Sequence, residues 1–377
     1  MFKFSVLADL HLRSNEPYDG RIKKRLGEKL NVLQQFFTHA VDEHQDIVFL
    51  AGDIFDSREP PDWLRAEFLK VVMLATSNKL QVYILVGNHE TNGVTSVYDA
   101  IDVIAEQHVP LLRIVKKPFK INAQGVNINM VPFCKPEEAT AAVLDVNPDN
   151  KVNILIAHFD VDQALPSGGS AFKISTILRT HHFQDYDAAI LGHIHQRQTH
   201  KIPTGRPGAI WTYVGSPLCQ NFGERADQAP KGFYSVTCDG DELSIETIAL
   251  ADTTEFIQID ITEQTTAIET AIKEASKDRI CKIVFSGSES FLRSTTIKSW
   301  QELARDLEKT GHAVKIITEI ICTDREILAA DDAEDPIPES ANQDDQLKRL
   351  CTEKNRDDLL DEGRRYLEEA NSEIASA

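Results

Sequence analysis

Nothing in these 377 residues reads as a membrane span or a disulfide scaffold. No apolar run approaches the roughly 18 residues that a crossing helix needs. Six cysteines, Cys134, Cys219, Cys238, Cys281, Cys322 and Cys351, are scattered without Cys-x-x-Cys spacing. That pattern argues against a thiolate-zinc site and against a framework of bridges. The first residues enter an apolar run with no basic-then-apolar leader, so the expected location is the cytoplasm, with no membrane association. Basic charge is also scarce. Lysine and arginine number 40 against 59 aspartates and glutamates, a formal charge of −19. That balance is awkward for binding a polyanion, which local basic stretches can still attract while the whole molecule stays acidic. The excess is uneven: Asp331 to Ala377 hold 15 acidic and 6 basic residues.

What is present is a series of five polar signatures, each at or just beyond the end of a short apolar run. They are Asp9-Leu10-His11, Gly52-Asp53-Ile54-Phe55-Asp56, Gly87-Asn88-His89-Glu90, His158 and Gly192-His193-Ile194-His195. The preceding runs, Lys3–Ala8, Ile47–Leu50, Val82–Val86, Val152–Ala157 and Ala188–Leu191, are rich in Val, Ile, Leu and Phe and read as buried strands. Ligands of open α/β sheets collect at the carboxyl ends of strands. Asp9, His11, Asp53, Asn88, His158, His193 and His195 are therefore expected to converge at one sheet edge. Oxygen and imidazole donors of this kind suit two divalent metals about 4 Å apart, the arrangement of metal-assisted phosphoester hydrolysis. Taken singly, each signature reads more often as a turn, a helix cap or a satisfied histidine than as a ligand. Their joint order carries the reading. Alternation along an extended segment is expected to send His193 and His195 to opposite sides.

The order of these signatures resembles the calcineurin-like metallophosphoesterase superfamily. Tyr213-Val214-Gly215-Ser216-Pro217-Leu218, Asn221-Phe222-Gly223-Glu224 and Lys231-Gly232-Phe233 are similar to the stretch closing the nuclease domain of its SbcD-type double-strand-break repair members. The resemblance implies one metal held by Asp9, His11, Asp53 and His195, and another by Asp53, Asn88, His158 and His193. Asp53 would then bridge. Hard oxygens mixed with imidazoles suit Mn²⁺, with Mg²⁺ as the less active substitute. His89 resembles the histidine that assists the leaving oxygen, a task suited to an imidazole. Two positions depart from the pattern. Asp56 stands where some members carry a histidine that guides the substrate phosphate, and Glu90 stands where many carry Asp. The first bears on substrate handling; the second is expected to alter one peripheral hydrogen bond. The implied activity is 3′-to-5′ exonuclease action on duplex ends and endonuclease action on single strands, as the nuclease subunit of a DNA repair and recombination complex. The alternative is a small-molecule phosphodiesterase or phosphatase, of the cyclic-nucleotide kind, using the same metals. A third reading is a scaffold that keeps the fold without metals, against which the complete ligand set argues.

The expected fold is α/β: a two-layered β-sandwich flanked by helices over residues 1–250, with further strands at Asn122–Val131 and Ala209–Val214. Leu26, Leu30, Leu33, Phe37 and Val41 predict a helix covering the sheet, and Asp62–Leu74 and Val97–Glu106 predict two more. The family dimerises through helices in about this region, so the resemblance implies a homodimer. Residues 251–328 predict a compact β-α-β-α-β unit resembling the family's capping domain, which shapes access of DNA to the metals. An acidic, proline-containing linker follows at 329–341. The tail, 342–377, carries Leu347, Leu350, Leu359, Leu360 and Leu367 at helical spacing, too narrow a stripe for a core of its own. In the family such helices clasp the coiled coil of an SbcC-type ATPase; the alternative is a tail folded back on its own chain. For DNA itself the candidate contacts are weaker. Arg13, Lys24 and Arg197, with Asp56, flank the metal motifs, as do Arg21, Lys23, Arg25, Lys173, Lys201 and Arg206. The run from Arg21 to Arg25 reads equally as a solvated helix face.

Overall fold

The computed structural model describes residues 1–16, 24–91, 101–165, 178–203, 205–224, 231–293 and 295–322. The expectations for the acidic linker, for the tail with Leu347, Leu350, Leu359, Leu360 and Leu367, and for Arg21, Lys23 and Lys173 lie outside the described residues. The described residues of Met1–Ser286 and Arg293–Ile321 form one compact unit, and Gly287–Leu292 and Cys322 fall outside it.

Twelve strands build the larger part of the first unit: β1 (Phe2–Leu7), β2 (Ile47–Ala51), β3 (Gln81–Leu85), β4 (Leu112–Val115), β5 (Phe119–Ala123), β6 (Val126–Val131), β7 (Val152–His158), β8 (Ala188–Gly192), β9 (Gln198–Lys201), β10 (Ile210–Tyr213), β11 (Gly232–Asp239) and β12 (Glu242–Ala249). They form two six-stranded sheets, ordered β12-β11-β1-β2-β3-β4 and β5-β6-β7-β8-β10-β9. The strands carrying the polar signatures run parallel within each sheet: β1, β2 and β3 in one, β7 and β8 in the other. Period-two alternation then sorts the side chains. Phe4, Val6, Phe49, Ile128, Ile154, Ile190 and Val236 fill the space between the sheets. The opposite face of the first sheet, through Leu7, Val48, Leu50 and Val82, packs on Leu33, Phe36, Phe68 and Val72. These last four belong to helices α1 (Arg25–Asp42) and α2 (Asp62–Ser77). Val131, Leu155 and Leu191 cover the outer face of the second sheet with Val143 of α4 (Pro136–Leu144), which follows the short α3 (Asp102–Glu106). Each fully buried Leu or Phe stabilises this sandwich by roughly 1.5–3 kcal/mol. The two-layered sandwich flanked by helices is thus the expected fold.

Two local readings differ. The strand expected over Asn122–Val131 is a hairpin of β5 and β6. Gln124 (φ 51) and Gly125 (φ 86) both adopt the left-handed conformation that a tight hairpin turn requires. Of the helix expected over 97–106, the described part is α3. On α1, the buried positions are Arg25, Glu28, Lys29, Val32, Leu33, Phe36, Phe37 and Ala40, so its stripe begins with charged residues and leaves Leu26 and Leu30 only partly buried.

A third sheet, β13-β14-β15, is built from β13 (Phe256–Ile261), β14 (Ile280–Gly287) and β15 (Lys315–Cys322). The connections carry α5 (Ile268–Ser276), a single turn α6 (Glu289–Leu292) and α7 (Thr295–Lys309). Phe285 stacks on Trp300 at 5.8 Å. Phe256 and Ile280 meet Cys219, Phe222 and Val314 in a small apolar cluster, which joins this sheet to the segment after β10.

Candidate metal centre

The signature residues gather at the carboxyl ends of β1, β2, β3, β7 and β8. These strands belong to two sheets, so the residues meet where the two layers open rather than at one sheet edge. The chain turns sharply there. Asp9 (φ 56), His11 (φ 50), Asp53 (φ 53) and His193 (φ 100) all sit in the left-handed region, a conformation that costs a non-glycine residue free energy and clusters at functional sites. His193 and His195 do reach different groups, but the turn at His193 separates them, not extended alternation.

Two neighbouring clusters hold most of the expected ligands: Asp9, His11 and His195 form the first, and Asp53, His158 and His193 the second, while a further group, His11, Asp56 and His89, adjoins the first through His11. In the first, the ring Nε2 atoms of His11 and His195 face each other at 2.9 Å. Asp9 accepts the His193 amide on Oδ1 at 2.8 Å, while its Oδ2, fully buried, has no hydrogen-bond partner among the described residues. In the second, Asn88 Oδ1 lies 3.0 Å from His158 Nε2 and 2.8 Å from His193 Nδ1. Asp53 Oδ2 stands 3.2 Å from His158 Nε2 and 3.7 Å from His11 Nε2, one imidazole from each cluster.

The far nitrogen of each imidazole donates to an oxygen. His11 Nδ1 reaches Asp56 Oδ1 at 3.1 Å, and His158 Nδ1 reaches the Ala51 carbonyl at 2.8 Å. His193 Nε2 pairs with Asp160 at 3.0 Å and His195 Nδ1 with Glu224 at 2.8 Å. Those bonds occupy the outward nitrogens and leave each inward nitrogen to ligate a metal once it has given up any proton it carries, the usual preparation of a metal-binding histidine. An orphaned buried carboxylate oxygen facing imidazole lone pairs is what a divalent cation satisfies, and the mixed N/O donors with no cysteine fit a hard or borderline ion.

Electrostatics agree. Burial opposes ionisation of Asp53, but the imidazoles of His158, His11 and His89 outweigh it and hold the carboxyl far below its usual range. Burial alone would lower His158; Asp53 overrides it and pushes the imidazole up to about 10. Burial lowers His11, keeping it neutral and ready to ligate. Cations compete with protons for such groups, so metal binding releases protons.

Close packing leaves no room for side chains at the signature glycines Gly52, Gly87 and Gly192. A Cβ on Gly87 would lie 2.2 Å from Asp53 Oδ1, and one on Gly52 (φ 91) would lie 2.2 Å from His158 Nδ1. Glu90 ties the same turns together. Its buried carboxylate accepts the amides of Asp53, Phe55 and Gly87 at 3.2, 2.9 and 2.7 Å, and that of Ile54. Burial and the Asp53 charge push it up to about 8, against the pull of the backbone amides. The expectation of one altered peripheral bond therefore understated Glu90, which organises two of the signature loops.

His89 lies beside the clusters. Its amide donates to Asp53 Oδ1 at 2.9 Å and its Nδ1 to the Asp56 carbonyl at 3.1 Å. A cavity of about 520 Å³, lined by Asp56, Ser57, Arg58, Glu59, Asn88 and His89, opens next to it. Asp56 holds Arg13 at 2.7 Å as well as His11. Other basic candidates are engaged within the fold. Lys24 pairs with Glu28 at 3.6 Å, and Arg197 donates to the Val214 carbonyl at 3.0 Å and lies over the Tyr234 ring. Arg206 pairs with Asp187 at 2.9 Å.

Sequence reasoning missed Asp160 and Glu224 as histidine partners, and Lys29. Asp160 stands two residues after His158, and Glu224 within the block that carried the resemblance. Lys29 is wholly buried; its ammonium donates to the His11 carbonyl at 2.6 Å and pairs with Glu16 at 2.7 Å. Burial brings its pKa down to about 8.

The calcineurin-like phosphoesterase family matches residues 2–197, the stretch that spans all five signatures. The chain belongs to that family. Among curated relatives, the DNA double-strand break repair protein Mre11 of Sulfurisphaera tokodaii is 24% identical over 222 residues, covering 58% of this chain and 56% of the relative. Mre11 of Saccharolobus solfataricus is 22% identical over 252 residues, 66% and 63% of the two chains. The SbcD component of the nuclease SbcCD of Staphylococcus epidermidis is 23% identical over 254 residues, 60% and 64%. The phosphoesterase thus spans between 56% and 64% of the length of these relatives.

Proposed function

We propose that the protein is a metal-dependent DNA phosphodiesterase with two Mn²⁺ sites. One comprises Asp9, His11, Asp53 and His195; the other comprises Asp53, Asn88, His158 and His193. The observation that carries this reading is the position of Asp53, whose Oδ2 reaches an imidazole of each cluster, at 3.2 and 3.7 Å. When bound, such a cation pair supplies Lewis-acid stabilisation of charge at phosphorus and lowers the pKa of water.

The chain's own residues do the rest. Asp56, Ala51, Asp160 and Glu224 hold the imidazoles with their lone pairs inward. Glu90 holds the Asp53 loop. His89, half-exposed with its Nδ1–H on the Asp56 carbonyl, would in its imidazolium form pass the Nε2 proton to the leaving oxygen and be left as the Nδ1–H tautomer, a contribution of roughly 10²–10⁴-fold in rate. The names of the Mre11 and SbcCD relatives favour DNA over a small phosphodiester. On the same reading, residues 251–328 shape access of DNA to the site, and the tail docks an SbcC-type ATPase subunit through Leu347, Leu350, Leu359, Leu360 and Leu367. The chain works as a homodimer in the cytoplasm; among the described residues, no helix is long and apolar enough to cross a membrane.

The test is a substrate panel with Mn²⁺: labelled single strand, duplex, cyclic nucleotides and an aryl phosphodiester. Cleavage of the single strand and degradation of the duplex from its 3′ ends are expected. Hydrolysis of cyclic nucleotides with inert DNA would replace this reading with the small-molecule one.

A further inference from the structure

Glu224 differs from the other histidine partners in what it connects. It is almost fully buried, and its carboxylate collects His195 Nδ1 at 2.8 Å, the Ser216 hydroxyl at 2.6 Å, Asn221 Nδ2 at 3.0 Å, Lys231 Nζ at 3.0 Å and the Gln220 amide at 3.3 Å. These donors come from the loop after β8, from the segment leaving β10 and from the residue before β11, so the carboxylate is held from several directions. It lies in a short 3-10 turn, Phe222–Glu224. Two residues earlier in that turn, Phe222 sets its ring edge against Phe256, the first residue of β13, at 5.1 Å. Cys219, Phe256 and Ile280 form the apolar cluster against which Phe222 packs.

A second tie runs parallel to the first. Arg25, buried, donates to the Cys219 carbonyl at 2.7 Å and to Glu28 at 2.6 Å, and its guanidinium lies 5.3 Å from the Phe256 ring centre. Thr254 donates to the other oxygen of Glu28. The strand that begins the third sheet is thus fastened to the segment that aims His195, through one aromatic contact and one buried ion pair. Closely packed groups of this kind have discrete arrangements and pass displacement on.

We propose that Glu224 is a positioning residue through which docking of the third sheet sets the metal affinity of the Asp9–His11–His195 cluster. The proposal rests on the two-metal reading above and deepens it. Seated by Phe222 against Phe256, Glu224 accepts the Nδ1–H of His195 and turns Nε2 toward Asp9 and His11. With Phe256 displaced, the turn carries Glu224 away, and His195 is free to take the other tautomer.

The test uses the whole protein. Nitrogen-15 NMR of the metal-free chain reads the His195 tautomer, expected to be Nδ1–H in the wild type; an Nε2–H wild type would overturn the proposal without any variant. Calorimetric titration with MnCl₂ then compares three substitutions, each checked for folding by circular dichroism. Glu224→Gln is expected to weaken one of two Mn²⁺ sites by about 10–100-fold. Ser216→Ala, whose hydroxyl meets Lys231 and the carboxylate oxygen that does not hold His195, is expected to stay within about twofold. Phe256→Ala is expected to weaken the same site by about threefold or more, an effect that disappears in the Glu224→Gln background. A folded Glu224→Gln protein with wild-type Mn²⁺ affinity and tautomer would overturn the proposal, as would a Phe256→Ala effect that persists without Glu224. A wild-type protein that binds no Mn²⁺ would instead overturn the two-metal reading, while the tautomer measurement still decides what Glu224 does to His195.

Discussion

Gly87→Ala adds one carbon next to the residue shared by both proposed metals. Its Cβ would stand 2.2 Å from Asp53 Oδ1, 2.4 Å from the Asp53 amide nitrogen and 2.9 Å from Asp53 Cγ. Ordinary contacts of this kind lie near 3.5 Å, so relief takes a displacement of roughly 1 Å. Rotation of the Asp53 side chain cannot provide it, because the backbone nitrogen is as crowded as the carboxylate. The backbone is itself held: Glu90 accepts both the Asp53 and Gly87 amides, and Gly52 packs against His158. Overpacking of this degree costs about 1–3 kcal/mol. The expected result is a lower Tm by scanning fluorimetry and, by calorimetry, about tenfold or greater weakening of both Mn²⁺ sites, because Asp53 serves both. Gly27→Ala is the control. Among the described residues nothing lies within 4 Å of its added Cβ, and at this exposed position in the first turn of α1 alanine gains up to about 1 kcal/mol over glycine. A folded Gly87→Ala protein that binds both metals as tightly as the control would refute the placement of Asp53 between the clusters.

Neighbouring residues should separate binding from proton transfer. Asn88→Ala removes the oxygen that faces His158 and His193 and should lower occupancy of one metal by mass spectrometry. His89→Ala preserves the amide that holds Asp53 and should keep both metals while slowing cleavage by roughly 10²–10⁴-fold; loss of a metal in that variant contradicts the assignment. The pH dependence of stability should report Glu224. Burial opposes its ionisation, but His195 and Lys231 outweigh burial and bring it down to about 2 from 4.5. A carboxyl lowered on folding contributes stability that is complete above its unfolded value and lost as pH falls toward its folded one. In metal-free protein Glu224→Gln should therefore remove on the order of 3 kcal/mol at neutral pH and flatten the loss of urea resistance between about pH 5 and 2. A wild-type acid slope in that variant would show that Glu224 is not held as described.

The strands bearing the signatures were legible because each is a short β-branched run that ends in a residue a strand interior cannot hold. The sheet-covering face of α1 was legible only in its second half. In the first half Arg25, Glu28 and Lys29 occupy buried positions, and no single-sequence pattern announces that a charge is buried when its partners, Cys219, Thr254 and Glu16, lie far along the chain or in a loop. The same reason hid Asp160 and Glu224. An acidic residue near a histidine motif is ordinary in sequence, and its meaning appears only when the fold brings it to a ring nitrogen. Asp56 was noticed as a departure, yet its contacts to His11 and Arg13 needed the turn after β2 to be in place. The hairpin at Gln124-Gly125 was a local signal passed over because the apolar residues on both sides read as one continuous run.

The claim on which the account depends is that Asp53 joins two metal sites in one chain, and counting ions tests it most directly. Native mass spectrometry of metal-free protein titrated with MnCl₂ should reach two Mn²⁺ per chain at saturation, and Asp53→Ala should weaken both together. Saturation at one ion or none, or an Asp53→Ala protein that retains one site at full affinity, would contradict it.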